Sequence, residues 1–411
     1  MAALAVLLLG LSACASHDPG IEAQGQINGH DIATTVDAPE AKYYLESYLD
    51  GLGRDPELDA AFDHALAKFS PSRIDKEEFQ VLAAAFSRDL AALHLIKRLS
   101  AVPENARIQA AYWHAIEGLR AIAGGNVASL GSCIIEAERP LFLFVPGWLY
   151  RTNSGTGADF AGQRRLLTAL GFETQLIATE ENGSIDVNAE IVADHIRRAG
   201  QGAGPVILVS TSKAGPETAH ALGHLLLAEE SATVKAWINV GGLLKGSPLA
   251  DWGNDWPNSL LISLYFAFKG LDISESLASM TSARSLNRWQ EETIPGHISV
   301  VNFVAVPLSG DITPGAEFGY ARASDTGPTD GLTAIVDELA HGGATVIEVG
   351  LDHYYRDPEI HLKTVALTLT VIRDVIGPVE VDCPAWGPLP DNAVATQAAM
   401  DFSSTSRRLK P

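Results

Sequence analysis

A serine hydroxyl is a weak nucleophile at neutral pH. A chain that uses one must supply a base to take its proton and a carboxylate to orient that base. Three stretches of this sequence could supply the set. The first is Leu208-Val-Ser-Thr-Ser-Lys-Ala-Gly215, where an apolar run, Val206-Ile-Leu-Val209, drives into Ser212 and a helical pattern follows at once. A serine on a sharp strand-to-helix turn sits exposed at its tip, and the turn demands small neighbours because strand and helix backbones pass close together. The usual spelling is G-x-S-x-G. Here Ser210 and Ala214 stand at the glycine positions, with Gly215 one place later. The second stretch is Gly350-Leu-Asp-His353-Tyr, directly after the last strand-like run, from which an imidazole could reach back to Ser212. The third lies between them and offers two carboxylates, Asp311 in Gly310-Asp-Ile-Thr-Pro314 and Asp330 in Thr329-Asp-Gly-Leu332. Spacing alone does not choose between these two. Asp352, beside His353, reads as a residue that orders its loop.

Acyl transfer of this kind also needs two N–H groups aimed at the developing oxyanion, each worth about 3 kcal/mol. One is expected from Lys213, the residue after the serine, with its side chain solvated. The other is expected from Trp148 in Val145-Pro-Gly-Trp-Leu-Tyr150, where Gly147 lets the backbone approach a ligand. No metal or organic cofactor is called for, and His64, His94 and His114 have no ligand spacing.

The elements that must hold these residues alternate. Apolar runs at Leu141–Val145, Phe172–Ala178, Val206–Val209, Val234–Val240, Ile298–Val306 and Thr345–Val349 read as strands. Helical patterns at Asp159–Leu170, Val187–Arg198 (with Asp186 as a possible cap), Pro216–Ala228 and Ile360–Val375 fall between or after them. Such alternation predicts an α/β fold: a mostly parallel sheet covered by helices on both faces. Residues 245–296 are too long for a plain crossover. They contain Leu260-Leu-Ile-Ser-Leu-Tyr-Phe-Ala-Phe268, apolar nearly all round, and are expected to form a cap or lid. Trp148, Trp252, Trp256 and Tyr265 could line a hydrophobic site beneath it. Residues 38–123 carry amphipathic helices, with Asp55-Pro56 as an N-cap and first position and Asp75 and Glu78 as a capping pair.

The 411 residues are 46% hydrophobic with a net charge of −21, which suits a sizeable core and argues against a nucleic-acid partner. Ala2–Leu9 is almost wholly apolar and too short to span a bilayer. Leu11-Ser-Ala-Cys14 after it resembles the bacterial lipobox, although no Lys or Arg precedes Lys42. That resemblance implies a signal peptide over 1–13, lipidation of Cys14, and a membrane-anchored protein of the cell envelope. Ala15 then favours the outer membrane. Cys133 and Cys383 remain as an even pair, and a disulfide between them would staple the tail to the main domain.

From about 139 to 377 the chain resembles α/β-hydrolases of the lipase and esterase group. F-V-P-G-W resembles their oxyanion strand, with Pro146 where His is usual; S-T-S-K-A-G resembles their elbow; and G-L-D-H-Y resembles their histidine loop. T-D-G-L resembles the N-D-G-L-V segment that carries their catalytic Asp, which favours Asp330 over Asp311. The resemblance implies a Ser212-His353-Asp330 triad that cleaves small-molecule or lipid-like esters through an acyl-enzyme. An amidase, peptidase or thioesterase would use the same parts, and a non-catalytic binding protein would keep the fold with the triad out of register. The expected organisation is signal peptide 1–13, flexible tether 14–37, helical domain 38–123, hydrolase domain 124–377 with its cap, and tail 378–411.

Overall fold

The computed structural model describes residues 20–376, apart from 28, 50, 71–72, 124–133, 137–138 and 203, together with 380–382. Cys14, Cys133 and Cys383 lie outside the described residues, as do the signal peptide and most of the tail.

The described chain opens on a hairpin, β1 (Ile21–Ile27) and β2 (His30–Val36), paired antiparallel with Ile21 opposite Val36. A flexible tether was expected through residue 37. The hairpin corrects this over 21–36, and its cause is a period-2 pattern: Ala23, Ile27 and Val36 point inward and are buried. Five helical segments follow: Pro39–Tyr48 (its second half π-helical), Pro56–Leu66, Lys76–Ala85, Arg88–Ser100 and Pro103–Ala123. Asp55 caps the second as expected, accepting the N–H groups of Glu57 and Leu58. Asp75 caps the third, but its expected partner Glu78 turns inward. It is buried against His94 and Arg98.

Strand β3 (Ile134–Glu136) pairs antiparallel with the late strand β10 (Glu380–Asp382), placing Ile134 opposite Asp382. Between them lies the main sheet: β4 (Leu141–Val145), β5 (Glu173–Leu176), β6 (Val206–Thr211), β7 (Val234–Val240), β8 (Ser299–Val306) and β9 (Ala344–Val349). All neighbours are parallel, in the order β5-β4-β6-β7-β8-β9. Both faces are apolar because each strand sends alternate side chains to opposite cores. Phe142, Phe144, Ile207, Val209 and Phe303 meet Ile108, Tyr112, Leu119, Leu362 and Val365 from helices Pro103–Ala123 and Ile360–Thr370. Leu143, Val145, Leu208 and Trp237 meet Ala189, Val192 and Ile196 from helix Ile185–Ala199. That helix is capped by Ser184, not Asp186; the Ser184 hydroxyl accepts the N–H of Val187. The region 245–296 forms four helices, Pro248–Asn254, Asn258–Phe268, Ser274–Ser279 and Ser282–Glu291. Among the described residues no helix is long and apolar enough to cross a membrane.

The N-terminal helices have no core apart from the sheet. Tyr44, Leu45, Phe62, Phe79, Leu90 and Leu93 share one cluster with Val304, Val306 and Ile347 of β8 and β9. Helix Pro103–Ala123 also closes the open side of β9. Asn105 Oδ1 accepts the N–H of Thr345 (2.7 Å), and Gln109 uses both ends of its amide, accepting from Ile347 N–H (2.7 Å) and donating to Ile347 C=O (3.2 Å). Side-chain amides thus stand where another strand would pair, which removes an aggregation-prone edge. A chain beginning at residue 124 should therefore aggregate or lose cooperative unfolding, as judged by light scattering and urea denaturation. A soluble monomer with a sharp two-state transition would refute this.

Candidate active site

The order of strands decides where a site can form. From β4 the chain goes outward to β5, then returns to the other side of β4 as β6. Crossovers thus diverge between β4 and β6, and a crevice opens at their carboxyl ends. Val145 lies beside Ser210 in the register, so the loop after β4 and the turn after β6 face each other across that crevice.

The turn after β6 is tight. Ser212 has φ of +56°, in the left-handed region that costs a non-glycine residue about 1–3 kcal/mol. It is held there by its own backbone: its N–H donates to Val240 C=O (3.1 Å), and its C=O accepts from Gly215 and Leu243 N–H (3.0 and 3.1 Å). Gly215 is the residue that must lack a side chain, since a Cβ there would stand 2.7 Å from Gly242 Cα. The two departures from G-x-S-x-G now have reasons. Ser210 is fully buried and its hydroxyl accepts the indole N–H of Trp237 at 2.8 Å. Ala214 is buried with a methyl that the packing accommodates.

His353 Nε2 lies 3.0 Å from Ser212 Oγ, and its Nδ1 is hydrogen-bonded to Asp330 Oδ2. An ionised carboxylate only accepts, so Nδ1 carries the ring proton and Nε2 faces the serine as an acceptor. Asp330 is completely buried, and its Oδ1 accepts the N–H groups of Leu332 (2.8 Å) and Thr333 (2.9 Å). Its backbone C=O also accepts the N–H of His353 at 2.8 Å, so acid and base loops are fastened together. Burial pulls the His353 pKa down, but the charge and hydrogen bond of Asp330, aided by Asp352, outweigh it. The imidazole ends above its ordinary value of 6.5. Gly241, at φ +54°, passes close to His353 Nδ1 and Tyr355, where a Cβ would stand about 3.5 Å from both.

Asp311, the other candidate acid, is turned away. Its carboxylate accepts from Thr34 Oγ1 (3.2 Å) on the hairpin and from Leu308 N–H (3.0 Å), and so fastens the N-terminal strands to the loop after β8. Asp352 orders its loop as expected, accepting from Thr313 N–H and Oγ1 and from Tyr354 N–H.

On the opposite wall, Gly147 N–H donates to Ala158 C=O and Leu149 N–H to Glu181 C=O. The N–H of Trp148 between them has no acceptor among the described residues, and neither does that of Lys213. A Cβ on Gly147 would come within 3.5 Å of Ser212 Cβ, so this wall and the serine nearly touch. Glu181 holds the wall from outside, its carboxylate accepting from Arg151 and Thr152 N–H.

The Lys213 side chain is not solvated, contrary to expectation. It is 1% exposed and ion-paired to the fully buried Glu217. Glu217 also accepts from Asn188 Nδ2 (2.8 Å), which in turn donates to Glu180 C=O (2.9 Å). Burial raises the Glu217 pKa, with Lys213 and Asn188 opposing it. The reason is helical spacing: Lys213 and Glu217 are i and i+4 on a buried helix start, so the ammonium finds its partner without leaving the core. Nothing in the local sequence marks that face as internal.

Helix Asn258–Phe268 lies over this wall. Phe266 meets the ring of Trp148 at 6.1 Å, and Ile262 packs with Trp148 on a small cluster of Leu243, Leu277 and Met280. Its other face is exposed: Leu260, Leu261, Leu264 and Phe268, the last at 84%. Trp256 and Tyr265 are also exposed, and Trp252 packs on Phe318 under Arg322, so of the four aromatic residues expected at the site only Trp148 borders it.

No family model matches this chain, and no curated protein matches it significantly. Solved structures do resemble it. A metagenomic carboxyl esterase aligns at 20% identity and TM-score 0.48 over 64% of this chain and 90% of that one. A Bacillus licheniformis lipase in its mature form aligns at 20% and 0.45 over 59% and 97%. A phospholipase from Legionella pneumophila aligns at 14% and 0.42 over 59% and 60%. The parallel sheet with apolar cores on both faces is the α/β architecture expected from the sequence.

Removing one partner of a buried ion pair strands the other charge, at a cost of roughly 3–5 kcal/mol. Glu217→Ala should lose stability of that order in urea melts, whereas a loss under about 1 kcal/mol, typical of exposed pairs, would show that Lys213 reaches water.

Proposed function

We propose that this protein is a serine hydrolase of carboxylic esters. The observation that carries the reading is the line of contacts from Ser212 Oγ through His353 to the buried Asp330, together with the N–H groups of Trp148 and Lys213, which have no acceptor among the described residues. In this reading Ser212 Oγ attacks the acyl carbon while His353 Nε2 takes its proton. The carbonyl oxygen gains charge between the N–H groups of Trp148 and Lys213. Collapse of the tetrahedral species expels the alcohol, which receives the proton from His353, and leaves an acyl-enzyme. Water, activated by the same imidazole, releases the acid. Asp330 stays ionised throughout, holding the tautomer and stabilising the imidazolium. The left-handed backbone at Ser212 supports the assignment, because such strain persists where the surroundings over-determine it.

The substrate side rests on the apolar helix over Trp148. Ile262 and Phe266 pack with Trp148, and this apolar wall favours an ester with a hydrophobic acyl or alkyl group. Export and lipidation at Cys14 belong to the same proposal and rest on the sequence of residues 2–14.

A fluorophosphonate probe tests the mechanism. Peptide mapping should find the adduct on Ser212, and His353→Ala should abolish labelling; native protein that takes no label would sink the hydrolase reading. For the acid, Asp330→Asn should cut kcat by about 10⁴-fold, with Asp311→Asn near normal, and the reverse result would reassign the carboxylate.

The base must be neutral to accept a proton, and the pKa of His353 is raised. Activity should therefore be low in acid and rise with pH, with the midpoint of the acid limb of kcat/KM above 6.5. A midpoint below that value would mean that Asp330 does not charge the site as its position implies.

A further inference from the structure

One buried carboxyl beside this site has no use in the mechanism above. Glu338 follows a short 3₁₀ turn, Ile335–Asp337, and is completely buried. Its backbone is fixed: the N–H donates to Ile335 C=O (3.1 Å), and the C=O accepts from Asn239 Nδ2 (2.9 Å). Its carboxyl is not. Neither oxygen meets a donor among the described residues. The side chain that acts on it most strongly is that of the equally buried Asp330, through its charge and a side-chain hydrogen bond.

Two carboxyl groups in contact inside a protein cannot both be ionised, so one proton is shared between them. Its position follows from their other partners. Asp330 has His353 Nδ1 on one oxygen and two backbone N–H groups on the other, all favouring its charge. Glu338 has no cationic partner among the described residues. The adjacent Asp337 takes the nearby one, pairing with Lys76 at 2.5 Å, while Lys245 Nζ donates to Val336 C=O. The remaining titratable neighbours are Asp337 itself and Tyr355, whose hydroxyl donates to Phe303 C=O. None of them stabilises a second anion.

We propose that Glu338 is a protonated positioning residue, whose carboxyl O–H donates to Asp330 and extends the chain to Glu338-Asp330-His353-Ser212. This rests on the triad reading and deepens it. The neutral acid fills one more acceptor site on Asp330, holds the carboxylate in the imidazole plane, and withdraws part of the charge that would otherwise raise His353 further. Burial, the charge of Asp330 and that of Asp337 all hold the Glu338 pKa well above the usual carboxylate range, which agrees with this protonation state.

The test compares Glu338→Gln and Glu338→Leu in the full chain. The probe is the low-field proton resonance of His353 Nδ1–H, followed by NMR against pH, together with the acid limb of kcat/KM on a soluble p-nitrophenyl ester. Gln is neutral and keeps a donor, so its midpoint should stay within about 0.3 pH units of wild type. An ionised Glu338 would instead have its charge removed by this change, and the midpoint would drop by about one unit or more; that result overturns the proposal. Leu removes the donor and leaves Asp330 with more charge, so the midpoint should rise and kcat fall about tenfold, in line with a lost hydrogen bond to a charged group. A Leu variant with the wild-type midpoint and kcat also overturns it. If Leu fails to fold, the Gln result still decides. The NMR titration reads His353 without turnover, so a protein that hydrolyses no ester would refute the hydrolase reading and leave the Glu338 question answerable.

Discussion

The site depends on one backbone conformation. Ser212 occupies the left-handed region, and a branched network of backbone hydrogen bonds keeps it there. Its N–H is tied to the end of β7, and its C=O to the helix start and to the segment after β7. Gly215 pressed on Gly242 lets helix and strand approach closely enough for those bonds to form. The serine oxygen then projects into the crevice at the one place where the crossovers diverge. Relaxing that φ would aim Oγ elsewhere, and no placement of His353 could recover the contact.

The rest of the chain serves to make this strained turn affordable. The sheet is apolar on both faces and its order puts β6 near the middle, so the strand leading to Ser212 is buried along its length. Helix Pro103–Ala123 covers one face and also caps the β9 edge through Asn105 and Gln109. His353 leaves from the end of that same strand. The N-terminal helices therefore contribute to the site at a distance, by fixing the strand from which the base departs. Asp89 does similar work nearer the loop after β8. It is buried, accepts from Asp37 and Ser309 N–H, and its pKa is raised to about 7 by burial and by Asp37.

Much of the α/β half was legible in the sequence, because apolar runs that form strands of four to eight residues between helical patterns admit few arrangements. The elbow, the P-G-W loop and the histidine loop were all readable by position. The choice between Asp330 and Asp311 was not readable by position, since both follow β8; only the T-D-G-L resemblance favoured Asp330, whose carboxylate meets His353 Nδ1. The hairpin at residues 21–36 was missed because two of the inward positions of its first strand, Ala23 and Gly25, are too small to mark the alternation. The inward turn of Lys213 was missed for a different reason: burial of a charge depends on a partner whose exposure is itself set by tertiary packing. Glu338 is the extreme case, an acidic side chain with no local sign that it would be enclosed. Residues 245–296 hold four helices between β7 and β8, and which of their aromatic residues point inward depends on the rotation of helix Asn258–Phe268, set by Ile262 and Phe266 docking on Trp148.

The hydrogen bond between Trp237 and Ser210 has a consequence for how this sequence can change. Reverting position 210 to glycine, the common residue at such a turn, would strand an indole N–H in a dry core. Replacing Trp237 alone would open a void and orphan the Ser210 hydroxyl. The two positions are therefore coupled: the cost of changing both is not the sum of the two single costs, and the residue tolerated at 210 depends on the residue at 237.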